Sequence, residues 1–197
     1  MARSVVLACN LNELKDFMLI REDVGVDGSF LINCILGRNF LTPNSSTILV
    51  CLHHTYEHYT CAGKRLNLNL NDARSKGHLF VIDYIKDMAC ELNDISSFNM
   101  QPETLVNDLL DKIINTATML LKNRPCVIIL DDLHNCNVFE VLANTISDLA
   151  ESEIIVHELT SGCSKEVDGR LVVKKCNGFD SEKTVLYKFC KKRKYKE

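Results

Sequence analysis

The chain has 197 residues, 46% of them hydrophobic and 25% charged, with a formal net charge of −3 and a pI near 6.1. This is the composition of one well-packed globular domain, and its slight acidity excludes a protein whose whole surface is a nucleic-acid or membrane-binding field. No uninterrupted apolar stretch approaches the roughly 20 residues that a membrane-spanning helix needs. The short apolar run at residues 5–9 is broken by Asn10, Asn12, Glu13, Lys15 and Asp16 before it could act as the core of a secretory signal, so the chain reads as cytoplasmic. Its 10 cysteines are scattered from Cys9 to Cys190 without a C-x-x-C pair, and they read as reduced, small buried hydrophobes rather than catalytic thiols.

Residues 17–20 form a short apolar strand, residues 22–28 a turn-rich loop, and Phe30, Leu31, Cys34, Ile35 and Leu36 follow at helical spacing. Beyond the break at residues 43–46, residues 47–52 are nearly all apolar, as a strand buried on both faces of a parallel sheet requires. Residues 56–66 read as helix, residues 73–77 as a helix end closed by Gly77, and residues 79–82 as another buried strand ending at Asp83. Pro102 opens the clearest helix, with Leu105, Val106, Leu109, Leu110, Ile113, Ile114 and Ala117 on one stripe.

Pro125 ends that element, and residues 126–130 are the most strongly apolar strand, with Asp131 and Asp132 at its carboxyl end. Residues 139–150 read as helix. This alternation predicts βαβ units and a mainly parallel sheet, with functional loops at the carboxyl ends of its strands. After it, residues 154–159, 170–174 and 184–189 read as strands separated by Gly162, Gly169 and Gly178, pairing antiparallel at one edge. The fold class is α/β: one domain over residues 1–187, followed by a basic tail at 188–197.

A phosphate-binding loop places G-x-x-x-x-G-K-[ST] between the first strand and its helix, and holds phosphates with backbone N–H groups and one lysine. Here that place holds Glu22, Asp23, Val24, Gly25, Val26, Asp27, Gly28 and Ser29. Aligning Ser29 with the metal-binding hydroxyl puts Gly28 where the lysine must be, so the loop is degenerate. Asp27 instead reads as a cap on the helix's own N–H groups. Val127, Ile128, Ile129 and Leu130 followed by Asp131 and Asp132 have the shape of a Walker-B strand, although a carboxylate at a strand end also caps the next turn.

His54, Glu57 and His58 spell H-x-x-E-H, the order of an inverted zinc-protease site. Such a site needs both histidines in one helix, whereas His53 and His54 directly follow a buried strand, so they read as polar loop residues and no metal ligand is assigned. At the far end, Tyr187, Lys188, Phe189, Lys191, Lys192, Arg193, Lys194, Tyr195 and Lys196 combine charge with aromatics. That mixture suits RNA backbones and unstacked bases, with Lys191, Lys192, Arg193 and Lys194 as candidate contacts; a solvated terminal tail is the alternative.

Asp27-Gly28-Ser29-Phe30-Leu31, the run at 50–52, His58-Tyr59, Gly63-Lys64, Leu66, Ala73-Arg74 and Gly77 resemble the Elongator complex subunit six family in order and spacing. Leu130-Asp131-Asp132 and the stretch at 161–171, with Gly162, Cys163, Val167 and Gly169, extend the resemblance to most of residues 17–189. It implies a RecA-like three-layer fold and a place with subunits four and five in a hexameric ring, which supports transfer-RNA wobble-uridine modification by a catalytic core in other chains. It further implies transfer-RNA binding through the assembly, nuclear as well as cytoplasmic residence, no cofactor, and no catalytic residue of this chain's own. Members of this kind lack a complete Walker-A motif. One departure is expected: after the helix ending near Ala150, the chain passes almost directly to the late strands and omits a strand and an acidic loop. The alternative to a non-catalytic ring subunit is an independent enzyme, either a zinc hydrolase using His54, Glu57 and His58 or an atypical phosphate-loop NTPase.

Overall fold

The computed structural model describes residues 5–7, 9, 11, 17–23, 25–42, 44–92, 102–122, 124–132, 149–159, 167–175 and 182–188. In chain order the elements are β1 (Met18–Glu22), α1 (Ser29–Phe40), β2 (Ser46–Cys51), α2 (Tyr56–Arg65), α3 (Leu70–Ser75), β3 (Leu79–Asp83), α4 (Tyr84–Leu92), α5 (Pro102–Leu121), β4 (Cys126–Asp131), β5 (Ser152–His157), β6 (Gly169–Lys175) and β7 (Glu182–Tyr187). They fall into two compact units, Met1–Cys34 with Leu149–Glu197, and Ile35–Asp148.

In the second unit the sheet runs β3-β2-β4 and is parallel throughout. Every residue of the central strand β2 is buried, as its nearly all-apolar sequence demands. Ile48, Val50 and Leu52 present one face of it to Leu109, Ile113 and Leu120 of α5 and to Tyr84. Each large apolar side chain fully buried there contributes about 1.5–3 kcal/mol, which makes the α5 stripe the main fastening on that face. β3 is less buried than its apolar run suggests, with only Leu79 below the surface, because it stands at the end of the sheet order.

The element not foreseen from the sequence is α4. It starts directly after β3 with no glycine or proline between them, and Asp83 makes the junction by accepting the N–H of Lys86 at 3.4 Å. The end of α3 is as expected: Gly77 takes a positive φ of 69°, which an L side chain adopts only with strain. The helix expected over 139–150 lies outside the described residues except for Leu149 and Ala150.

In the first unit the strand order is β1-β5-β6-β7, with β1 and β5 parallel and the later pairs antiparallel. The expected antiparallel late strands are therefore present. Gly169 opens β6 beneath the Tyr187 ring, where a Cβ would collide with the phenol. Tyr187 is buried and its ring lies 5.0 Å from that of Phe30 in α1. Tyr187 thus belongs to the last strand, in line with the strand read over 184–189, and not to a basic contact segment; burial followed by nearby Asp168 and Asp27 pushes its phenol pKa up.

Candidate functional site

Asp27, Gly28 and Ser29 belong to the first unit, at the junction between β1 and α1. The Ser29 N–H donates to Asp27 Oδ1 at 2.8 Å, and the Gly28 N–H donates to Glu22 Oε1 at 2.8 Å. Two carboxylates of the chain thus receive the N–H groups that a helix start would otherwise offer to an anion. Sequence reasoning identified the Asp27 contact. It missed Glu22, whose reach back across six residues depends on how the loop folds.

The same contact explains why residue 28 is glycine. A Cβ there would stand 2.7 Å from Glu22 Oε1, too close unless the Glu22 carboxylate gives up its contact, and a tight 3.0 Å from Val156 Cγ2. A lysine at this position would meet that obstruction at its first side-chain atom. The loop is further tied to β5, because the Asp23 N–H donates to the Val156 carbonyl at 3.0 Å and Asp23 Oδ2 lies 2.5 Å from His157 Nδ1. Gly25 turns the chain at φ 86° beside Glu158. Ser29 itself is buried.

Asp131 and Asp132 belong to the second unit. Asp131 is buried, and its Oδ2 accepts the N–H of His54 at 2.8 Å and, more weakly, that of His53 at 3.4 Å. On the other side of β2, Asp83 Oδ2 accepts the N–H of Tyr56 at 3.0 Å, where the Thr55 side chain makes no cap. The carboxylates ending β3 and β4 therefore hold the exit loop of β2 from both sides. Asp132 follows with φ 50°, in the left-handed region. Burial and the neighbouring Asp83, Asp131 and Glu57 push the Cys51 thiol pKa up strongly, so that thiol is a poor nucleophile.

His54 lies in this exit loop, ahead of α2. Its ring stacks on that of His58, with centroids 4.1 Å apart and planes inclined by 19°. Imidazole lone pairs lie in the ring plane, so two stacked rings do not aim their nitrogens at one ion. Glu57 is held below the usual carboxylate range first by its own backbone N–H and then by Lys86 and Thr55, which disfavours it as a general base. The candidate contacts Lys191, Lys192, Arg193 and Lys194 lie outside the described residues.

The class is an α/β fold of RecA type, as a structural relative shows. A KaiC-like protein of the hyperthermophilic archaeon Pyrococcus horikoshii shares the fold with a TM-score of 0.50 at 12% identity, covering 87% of this chain and 84% of that one. Residues 5–134 match the family described as Elongation complex protein 6. The Elongator complex protein 6 of Drosophila melanogaster is 34% identical over 236 residues, covering 95% of this chain and 93% of that protein. The protein of the same name in Danio rerio is 25% identical over 175 residues, covering 85% of this chain and 64% of that protein. The chain belongs to the Elongation complex protein 6 family. Its alignment with the fly protein runs to 236 positions, more than the 197 residues present here, so the relative carries residues with no counterpart in this chain.

Proposed function

We propose that this chain is a non-catalytic subunit of the Elongator complex, placed with subunits four and five in its hexameric accessory ring, where it supports transfer-RNA wobble-uridine modification and transfer-RNA binding. The observation that carries the non-catalytic part is the occupation of the α1 entrance by Glu22 and Asp27, with Gly28 where a phosphate-loop lysine would stand. A phosphate arriving there would meet two carboxylates and find the N–H groups of Gly28 and Ser29 already bonded. The degenerate loop serves shape: it fixes the angle at which α1 leaves β1. A cytoplasmic place, extending to the nucleus, fits this role, and no helix among the described residues is long and apolar enough to cross a membrane.

Affinity purification of the full chain from cells, followed by mass spectrometry, tests the assembly. Recovery of the other Elongator subunits supports it, and a monomeric mass without them defeats it. The purified chain alone should bind ATP no more tightly than millimolar in calorimetry, and low-micromolar affinity would overturn the non-catalytic reading.

A further inference from the structure

A cavity of about 610 Å³ opens in the second unit, with Val81 and Ile82 of β3 lining it together with Tyr56 and Arg74 from α2 and α3 and with Lys112 and Asn115 from α5. Ile82 belongs to the face of the sheet that α5 covers. Val81, one residue earlier, belongs to the opposite face. A cavity lined by both straddles the outer edge of β3. That strand is the end member of the order β3-β2-β4.

The hydrogen-bond phase of β3 follows from one contact. Thr47, in register with Leu79, donates to the His78 carbonyl at 2.9 Å. In a parallel ladder inward and outward residues alternate, so His78, Phe80 and Ile82 serve β2, and Val81 turns its own N–H and C=O outward, toward the cavity. An outward pair of this kind is the template that an added strand uses.

The charges around the edge are mostly matched. Lys112 pairs with Asp108 at 3.0 Å and Asp87 at 3.8 Å, Lys86 pairs with Glu57 at 3.6 Å, and Asp83 caps the Tyr56 N–H. Arg74 is exposed, lies 5.5 Å above the Tyr56 ring centroid, and has no carboxylate partner among the described residues. A helix or a nucleic-acid backbone carries no peptide N–H and C=O at strand spacing and would leave the Val81 backbone groups unmatched.

We propose that this groove docks an extended segment of a partner polypeptide, which adds to β3 as a further strand and sets an acidic side chain against Arg74. The test uses the full chain and a capped heptapeptide of alternating valine and glutamate, with calorimetry for affinity and amide exchange read at Val81. Binding should slow exchange at Val81 and should be lost when the central peptide nitrogens are methylated. It should weaken by about threefold in Arg74→Ala, as for an exposed charge pair. Arg74→Glu should reverse the preference, toward a second capped heptapeptide of alternating valine and lysine. Unchanged exchange at millimolar peptide, equal binding of the methylated peptide, or a preference for glutamate that survives Arg74→Glu would overturn the proposal. So would tighter binding of an oligothymidylate at this edge. Arg74 is exposed, so its variants should keep the fold, and a thermal melt checks that they do.

Discussion

Glu22 and Asp27 each hold one backbone N–H at the start of α1, from opposite ends of the loop. Losing the nearer one removes a helix cap, so Asp27→Ala should cost about 1 kcal/mol, whereas Asp27→Asn should stay close to the parent because asparagine caps as well. Urea unfolding measures both, and an unchanged midpoint in the alanine variant would count against the cap. The buried thiols set a second expectation at this scale. Burial, then the neighbouring Cys9, pushes Cys34 up to about 12 from an ordinary value of 9.0, and burial raises Cys9 and Cys126 as well. The folded state therefore keeps protons that the unfolded chain gives up. Stability that is complete below about pH 9 should fall as pH rises toward about 12, the sign required when the folded pKa is the higher one. Melting temperatures across that range should fall more steeply for the parent than for Cys34→Ala. Equal slopes would remove Cys34 as a cause. Cys61 and Cys90 are exposed and should alkylate in the folded chain, before Cys34 and Cys51 do.

At the scale of elements, the exit loop of β2 depends on two carboxylates from its neighbours in the sheet. Asp131→Ala leaves the N–H of His54 without its acceptor in a half-buried loop, and should cost about 1–3 kcal/mol in urea unfolding; Asp131→Asn, which keeps an oxygen there, should lose less. Faster amide exchange at His54 in the alanine variant is the accompanying local sign, and an unaltered rate would sink this account. The strands and helices themselves were largely legible, because β2, β4 and the α5 stripe carry composition and period that admit few other structures. The antiparallel late strands were announced by their glycines. The contacts that organise the loops were not legible. His54 and Asp131 are 77 residues apart, and Asp23 and His157 are 134 apart, so no local pattern records either pair. The Asp27 cap could be read because an Asp-Gly-Ser entry to a helical stripe is a local signal, whereas Glu22 acts across a loop. α4 was missed since Tyr84–Leu92 is short, carries charges throughout and follows β3 without punctuation. The partial exposure of β3 was hidden for a related reason: an apolar run reads the same at the centre of a sheet and at its end.

For the molecule as a whole, the charge is divided unevenly along the chain. The ten residues at 188–197 carry six cations and one acid, a balance of +5 on a chain of net −3, so the rest carries −8. A surface with that sign repels a phosphate backbone, and the acids at the α1 entrance add to the repulsion locally. Under the proposed function, the basic tail is the part of this chain whose charge suits a phosphate backbone. Deleting residues 191–196 removes Lys191, Lys192, Arg193, Lys194 and Lys196. The assembled complex should then bind transfer RNA more weakly at low salt, and the dependence of affinity on salt should flatten by about 0.7 in logarithmic slope for each phosphate no longer neutralised. Because the tail follows β7, the deletion leaves the buried Tyr187 in place, and the subunit composition of the assembly should be unchanged. Unaltered affinity and an unaltered slope at low salt would assign the tail to solvent, and a complex that failed to assemble would assign it to a subunit contact.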